Sequence, residues 1–225
     1  MRKDFTFSNI AAALLLMLFF ISLSVVVTLN FRPLYYFDVD HLNIPEVSGL
    51  GRQDIIENYD ALIDYNSIFS QDELEFPSLA MSETGKIHFE EVKNIFVGFQ
   101  YFFIFALAAS AIFTIYKIKK KEYGFLWLAS ILSIVIPLIL GGLIALNWQW
   151  FFVTFHHIAF NNDYWIFDAV TDPVITILPD AFFMHCAVMI LAVVILLSAL
   201  CFVIYRLFTS TNKPTKVEFR SKLKG

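Results

Sequence analysis

The sequence predicts an all-α integral membrane protein, with four transmembrane helices and two long extracytoplasmic loops, the first carrying an amphipathic interfacial helix. Three observations lead there. Of the 225 residues, 58% are apolar and only 16% charged, against roughly 45–50% and about 25% in soluble domains. Four apolar stretches reach the length of about 20 residues that spans the hydrocarbon core of a bilayer, and none holds a Lys, Arg, Asp or Glu in its interior. The basic residues gather in three places and the acidic ones elsewhere. This composition excludes disorder and collagen-like structure. Two cysteines, Cys186 and Cys201, do not support a disulfide framework.

The whole chain, 1–225, reads as a single membrane domain. Span one covers about 10–29. Its apolar run is longer than a signal-peptide core of roughly 7–15 residues, and no small-x-small cleavage site follows, so an uncleaved anchor is expected. Loop one covers about 31–93. Within it Ile55, Ile56, Tyr59, Leu62, Ile63 and Asn66 recur at helical spacing, with Asp54, Glu57, Asp60 and Asp64 on the other face. That pattern fits a helix lying over the spans, or one that offers Tyr59 or Tyr65 to a substrate. Span two covers about 94–116 and span three about 124–146; Pro137 and Gly141-Gly142 in the latter suggest a kink or a close helix contact. Loop two covers about 147–184 and holds three of the four tryptophans among Phe, Asn, Asp and His. Aromatic residues favour the headgroup region. The density of rings here suggests a segment folded into the interface over a lipid-facing cavity. Span four covers about 186–205, and a short basic tail, 206–225, follows.

Lysine and arginine set the expected orientation. Arg2 and Lys3 precede span one, Lys117, Lys119, Lys120 and Lys121 separate spans two and three, and Arg206, Lys213, Lys216, Arg220, Lys222 and Lys224 follow span four. These are twelve of the sixteen basic residues, and 17 of the 20 acidic residues lie on the opposite side. Both termini are therefore expected in the cytoplasm and both long loops outside. The formal net charge of −4, with its basic residues at membrane flanks, argues against a nucleic-acid partner.

All five histidines, His41, His88, His156, His157 and His185, fall in the outer loops or at their edge. His88 lies in the string Ser82-Glu83-Thr84-Gly85-Lys86-Ile87-His88-Phe89-Glu90-Glu91-Val92-Lys93, which leads into span two. Glu91, three residues on, shares its helix face, and a carboxylate there would raise the imidazole pKa and fix its tautomer. A structural interfacial histidine is the alternative. His156 and His157 are adjacent, but neither a His-Glu-x-x-His pattern nor a cysteine pair at ligand spacing accompanies them, so no metal site is expected. No Gly-x-Ser-x-Gly occurs. General acid–base chemistry by histidine, whose ordinary pKa of about 6.5 suits neutral pH, is what remains.

Three segments together resemble one known family. They are Asn58-Tyr59-Asp60-Ala61-Leu62-Ile63-Asp64-Tyr65, Ser82 to Lys93, and Phe155-His156 through Phe183. In this order on a four-span frame they resemble the lipoprotein intramolecular transacylases of Gram-positive bacteria. The resemblance implies a multi-pass enzyme of the bacterial cell membrane, working at the outer leaflet with no cofactor. Its substrate would be a diacylated lipoprotein N-terminus. The sn-2 acyl chain of the S-diacylglyceryl cysteine would move to the α-amino group of that cysteine, leaving a lyso-form lipoprotein. The resemblance maps the catalytic histidines to His88 and His156, with His157 as the alternate register. Supporting roles are expected for Tyr59, Glu83, Glu91, Asn162, Asp163 and Trp165. Glu83, Glu90 or Glu91 would orient His88, Asn161, Asn162 and Asp163 would hold the loop or touch glyceryl oxygens, and Trp165 and the Phe residues would pack acyl chains. Two other classes stay open on the residues alone: a non-enzymatic sensor or partner subunit with loop one as its recognition segment, and a haem or metal redox protein.

Overall fold

The computed structural model describes residues 5–71 and 73–211, and every described regular element is helical. In chain order these are α1 (Phe7–Asn30), α2 (Arg32–His41), α3 (Ile44–Ser48), α4 (Arg52–Tyr65), α5 (Glu83–Lys119), α6 (Gly124–Leu146), α7 (Trp148–Ala159), a single 3-10 turn (Pro173–Thr176) and α8 (Asp180–Thr211). Helices α1, α5, α6 and α8 are long and apolar enough to cross a membrane. Arg2, Lys3, Asp4 and the tail residues Lys213, Lys216, Glu218, Arg220, Lys222 and Lys224, on which part of the expected orientation rests, lie outside the described residues.

Helix α1 is the hub of the bundle. It packs against α5, α6 and α8, and α6 packs against α8. Small residues make this approach possible: Ala12 and Ala13 meet Phe125 and Ala129, with Leu16, Phe20, Leu126, Leu128 and Cys201 around them. Without a hydrophobic drive between helices in lipid, such close contact supplies the association energy. Gly141 of α6 serves the same end. A Cβ there would press on Leu191 of α8, so Gly141 marks a close helix contact, whereas a Cβ at Gly142 would meet open space. Pro137 sits inside α6, which continues through it to Leu146. At the terminal end of the bundle, Lys117 is buried, with Nζ 2.7 Å from both Ser8 Oγ and Glu122 Oε2. Buried Lys needs such a partner.

At the opposite end, loop one folds into a compact head. It has its own apolar core, in which Tyr35, Val39, Ile44, Ile55, Tyr59, Leu62 and Ile63 join Phe89 of α5, Val174 and Ile177 of loop two and Phe182 of α8. The amphipathic helix expected near 55–66 is α4, and its apolar face enters this core. Tyr35 and Tyr59 stack at 3.7 Å, and the Tyr35 hydroxyl donates to the carbonyl of Ile177 at 2.7 Å. An aromatic pair of this kind contributes about 0.5–1.5 kcal/mol beyond its buried area.

The main departure from the sequence expectation is the length of α5. Its 37 residues extend roughly 55 Å at 1.5 Å per residue, well beyond a 30 Å hydrocarbon core. The extra length is the turns before position 94, which carry Glu83, Lys86, Glu90, Glu91 and Lys93 and stand in the head, outside the apolar span. Helix α5 starts there because Ser82 caps it: its Oγ accepts from the Gly85 amide at 3.0 Å. α8 likewise starts at Asp180, before its expected span, and loop two contains the helix α7.

Candidate functional site

The head and loop two close on His88. Its ring lies in the first turns of α5, 5% exposed, against Phe160 at 4.7 Å, Phe167 at 5.4 Å and Phe89 at 5.8 Å between centroids. His156, in the last turn of α7, completes the cage with its ring 6.2 Å away and 29° from parallel. The structure therefore brings together two histidines that are 68 positions apart in the chain.

The two rings are held differently. His156 Nδ1 lies 2.7 Å from the carbonyl oxygen of Phe152, one turn earlier. A carbonyl only accepts, so Nδ1 carries the proton and Nε2 carries the lone pair. Phe152, Phe160 and Trp165 hold that ring at 4.1, 5.6 and 4.7 Å. His88 Nδ1 is buried without a hydrogen-bond partner. Burial, and then the neighbouring His156, push the His88 pKa down to about 4. The His156 pKa is also lowered, first by burial, with the Phe152 carbonyl and Asp180 acting the other way and His157 adding to the decrease. Both imidazoles are therefore neutral at pH 7, and the pair carries no buried charge.

Glu91 makes no hydrogen bond to His88, and the raised imidazole pKa expected from it is not found: burial and His156 both lower it. Glu91 Oε1 instead accepts from Asn162 Nδ2 at 2.9 Å. Asn162 Oδ1 accepts from the Tyr164 amide at 3.0 Å, a local turn that fixes the asparagine. Trp165 lies against His156 with the rings tilted by 35° and meets His157 edge-on, and its indole N–H is buried without a partner. His157 is exposed and points off the cage. Adjacent helical residues diverge by about 100°, so only one of the pair can face His88.

Three of the other expected site residues lie elsewhere. Tyr59 is 3% exposed in the core of the head, where stacking on Tyr35 and an edge contact with Phe182 occupy its ring. Glu83 is exposed in the first turn of α5, where its charge suits the helix N-terminus. Asp163 is exposed in the turn after α7, its carbonyl accepting from the Ile166 amide at 3.1 Å.

Two positioning contacts escaped sequence reasoning. Asp172, 3% exposed, accepts from the Ser82 amide at 2.8 Å and from the Thr171 hydroxyl at 2.7 Å. It ties loop two to the N-terminus of α5, two turns before His88, and Gly85 leaves it room: a Cβ there would strike the carboxylate. The second is Asp38 of α2, fully buried, which receives His185 Nδ1 of α8 at 2.8 and 2.9 Å. It fastens the head to α8. Among the described residues, no group of three or more His, Cys, Asp or Glu could hold a metal ion, and both cysteines are free.

Comparison with known proteins identifies the family and the fold. The family model for lipoprotein intramolecular transacylase Lit matches residues 10–183. Among solved structures, the chain is similar to the membrane-integral lipoprotein intramolecular transacylase Lit from Bacillus cereus, at 39% identity and a TM-score of 0.88, covering 91% of this chain and 95% of that one. Two further structures of that protein, in which one histidine is replaced by arginine or by alanine, match at 39% identity and a TM-score of 0.84. Each covers 91% of this chain, and 91% and 93% respectively of the other. No curated protein sequence matches.

Proposed function

The chain belongs to the lipoprotein intramolecular transacylase Lit family, and from that premise we propose that it moves the sn-2 acyl chain of an S-diacylglyceryl cysteine onto the α-amino group of the same cysteine, with His88 and His156 as the catalytic pair. The observation that carries the assignment is the facing of two neutral imidazoles, 6.2 Å apart, with the tautomer of one set by the Phe152 carbonyl. That one histidine was the residue replaced in the Bacillus cereus relative, at nearly the same distance from the N-terminus as His88, supports a histidine-centred site.

The chemistry follows from the protonation states. The α-amino group has an ordinary pKa of about 7.7–8.0 and must lose a proton before it attacks. His156 Nε2, bare and uncharged, takes that proton. The amine nitrogen forms a bond to the ester carbonyl carbon, and the carbonyl oxygen becomes an oxyanion. A neutral His88 retains one N–H to donate to that charge without itself being a buried cation; the unpartnered indole N–H of Trp165 offers a second donor. The carbon–oxygen bond to glycerol then breaks, and the His156 imidazolium returns its proton to the departing oxygen. One ester and one α-ammonium become one alcohol, one amide and one proton released to solvent: of the three ammonium protons, the first travels through His156 to the glycerol oxygen, the second leaves the nitrogen as the amide forms, and the third remains as the amide N–H, with both imidazoles restored. Nucleophile and ester belong to one molecule, so positioning supplies much of the rate, and the reaction balances without an external acyl donor or nucleotide.

The orientation belongs to the same proposal. The basic cluster Lys117, Lys119, Lys120 and Lys121 lies at the end of the bundle away from the head, which supports a cytoplasmic terminal side and a head at the outer leaflet. The test is fragmentation mass spectrometry of a reporter lipoprotein's N-terminal lipopeptide, from a host without other N-acylating enzymes. With the wild-type protein, one chain is expected on nitrogen at unchanged total mass. Both chains remaining on glycerol would contradict the proposal.

A further inference from the structure

The transacylase chemistry leaves one charged group at the site without a task. Glu91 stands one turn along α5 from His88, on the same helix face. Asn162 holds its Oε1, while Oε2 is buried and has no hydrogen-bond partner. Glu91 takes part in no ion pair with another described residue. A buried, half-satisfied carboxylate is costly unless a donor or a cation arrives to meet it. Its place is telling: Asn162 follows Phe160 by two residues, and the Phe160 ring touches both His88 at 4.7 Å and His156 at 5.6 Å. The bare oxygen is thus fixed beside the catalytic cage.

Resting on the transacylase reading, we propose that Glu91 Oε2 is the subsite for the α-ammonium of the substrate cysteine. It makes the enzyme specific for lipoproteins whose N-terminus is still free. Before transfer, the substrate carries a positive charge at its amine at neutral pH, next to the reacting ester. A carboxylate with one oxygen tied down presents the other for that charge and needs no reorganisation to do so. When His156 removes one proton, the amine keeps two, and one of them stays on Glu91. The nitrogen is then held with its lone pair free for the ester carbon. An N-acylated cysteine has neither the charge nor a basic nitrogen, so the same subsite rejects the product.

A role confined to anchoring the loop through Asn162 makes a different demand. It needs an acceptor at Oε1 and is indifferent to charge, so glutamine would serve as well as glutamate. The test uses the full-length wild-type protein and Glu91→Gln, in lipid nanodiscs, with a diacylglyceryl-cysteine peptide as substrate. Two inhibitors carry ether-linked chains that cannot transfer, one with the free α-amine and one with hydrogen in its place. The wild type is expected to bind the amine-bearing analogue about tenfold or more tightly than the des-amino analogue, the range of a charge-assisted contact. In Glu91→Gln that ratio falls to near one and KM for the substrate rises to a similar degree. Equal inhibition of the wild type by the two analogues overturns the proposal and needs no variant. A Glu91→Gln enzyme that keeps the wild-type ratio overturns it as well. If the wild type transfers no chain at all, the transacylase reading fails and takes this proposal with it; transfer without discrimination sinks the Glu91 subsite alone.

Discussion

His88 and His156 differ in one respect that governs their chemistry: the second has a hydrogen-bonded Nδ1 and the first has none. In the proposed mechanism this asymmetry assigns proton transfer to His156 and the neutral donor role to His88. General acid–base contributions are typically 10²–10⁴-fold, so His156→Gln is expected to lower turnover by about that factor, with a smaller effect on substrate binding. Initial rates across substrate concentration check this split. The depressed pKa of His88 also has a consequence for stability. Unfolded, the imidazole binds a proton near pH 6.5; folded, it does so only near pH 4. Between those values the unfolded state holds more protons, so stability rises with pH. The contribution is complete above about pH 6.5 and is lost as pH falls towards 4, amounting to about 3 kcal/mol at most. Thermal unfolding in detergent should therefore fall off more shallowly across this window in His88→Gln than in the wild type. None of this was legible in the residues near His88. Glu91 at helical spacing suggested a raised pKa, whereas the rings that lower it, Phe160 and Phe167, come from more than 70 positions away.

Helix α5 is the element on which the site depends, because its first turns leave the membrane and carry His88 and Glu91 into the head. Their position is set by Ser82, Gly85 and Asp172 acting as one N-terminal cap. Asp172→Ala removes an acceptor from the partly buried Ser82 amide, a loss of about 1–3 kcal/mol, and is expected to lower the melting temperature and the activity together. Gly85→Ala is expected to do the same by displacing the Asp172 carboxylate, whereas Gly98→Ala, where a Cβ meets open space, is expected to do neither. Thermal melts and turnover of the three variants, measured side by side, check the assignment. The spans were readable from hydropathy because lipid demands an unbroken apolar run. The helical turns carrying His88 and Glu91 were legible from their spacing, but the start of α5 at Glu83 was not, since its polar first turn satisfies no membrane criterion and Asp172, which reaches Ser82, comes from 90 positions away. α7 was missed for a similar reason: none of its residues is buried, so its ring-rich sequence read as an interfacial loop.

At the scale of the whole molecule, two cores are stacked end to end: a bundle core around α1 and a head core around Tyr35 and Tyr59. The Asp38–His185 pair joins them across α2 and α8. Removing the partner of a buried charge typically costs about 3–5 kcal/mol, so His185→Ala should loosen the head far more than a surface change would. Limited proteolysis within 66–82 reads that loosening directly. The separation of the head's acidic residues from the lysine cluster at the far end was legible from the charge pattern, but the fold of the head onto loop two was not, because it depends on contacts such as Tyr35 with Ile177, 142 positions apart. The account as a whole rests on which of two adjacent histidines faces His88. Purified wild type, His156→Ala and His157→Ala, assayed on a diacylglyceryl-cysteine peptide with fragmentation of the product, decide it. Loss of N-acyl product in His156→Ala with near wild-type product in His157→Ala is the expected result; the reverse pattern would contradict the geometry described here.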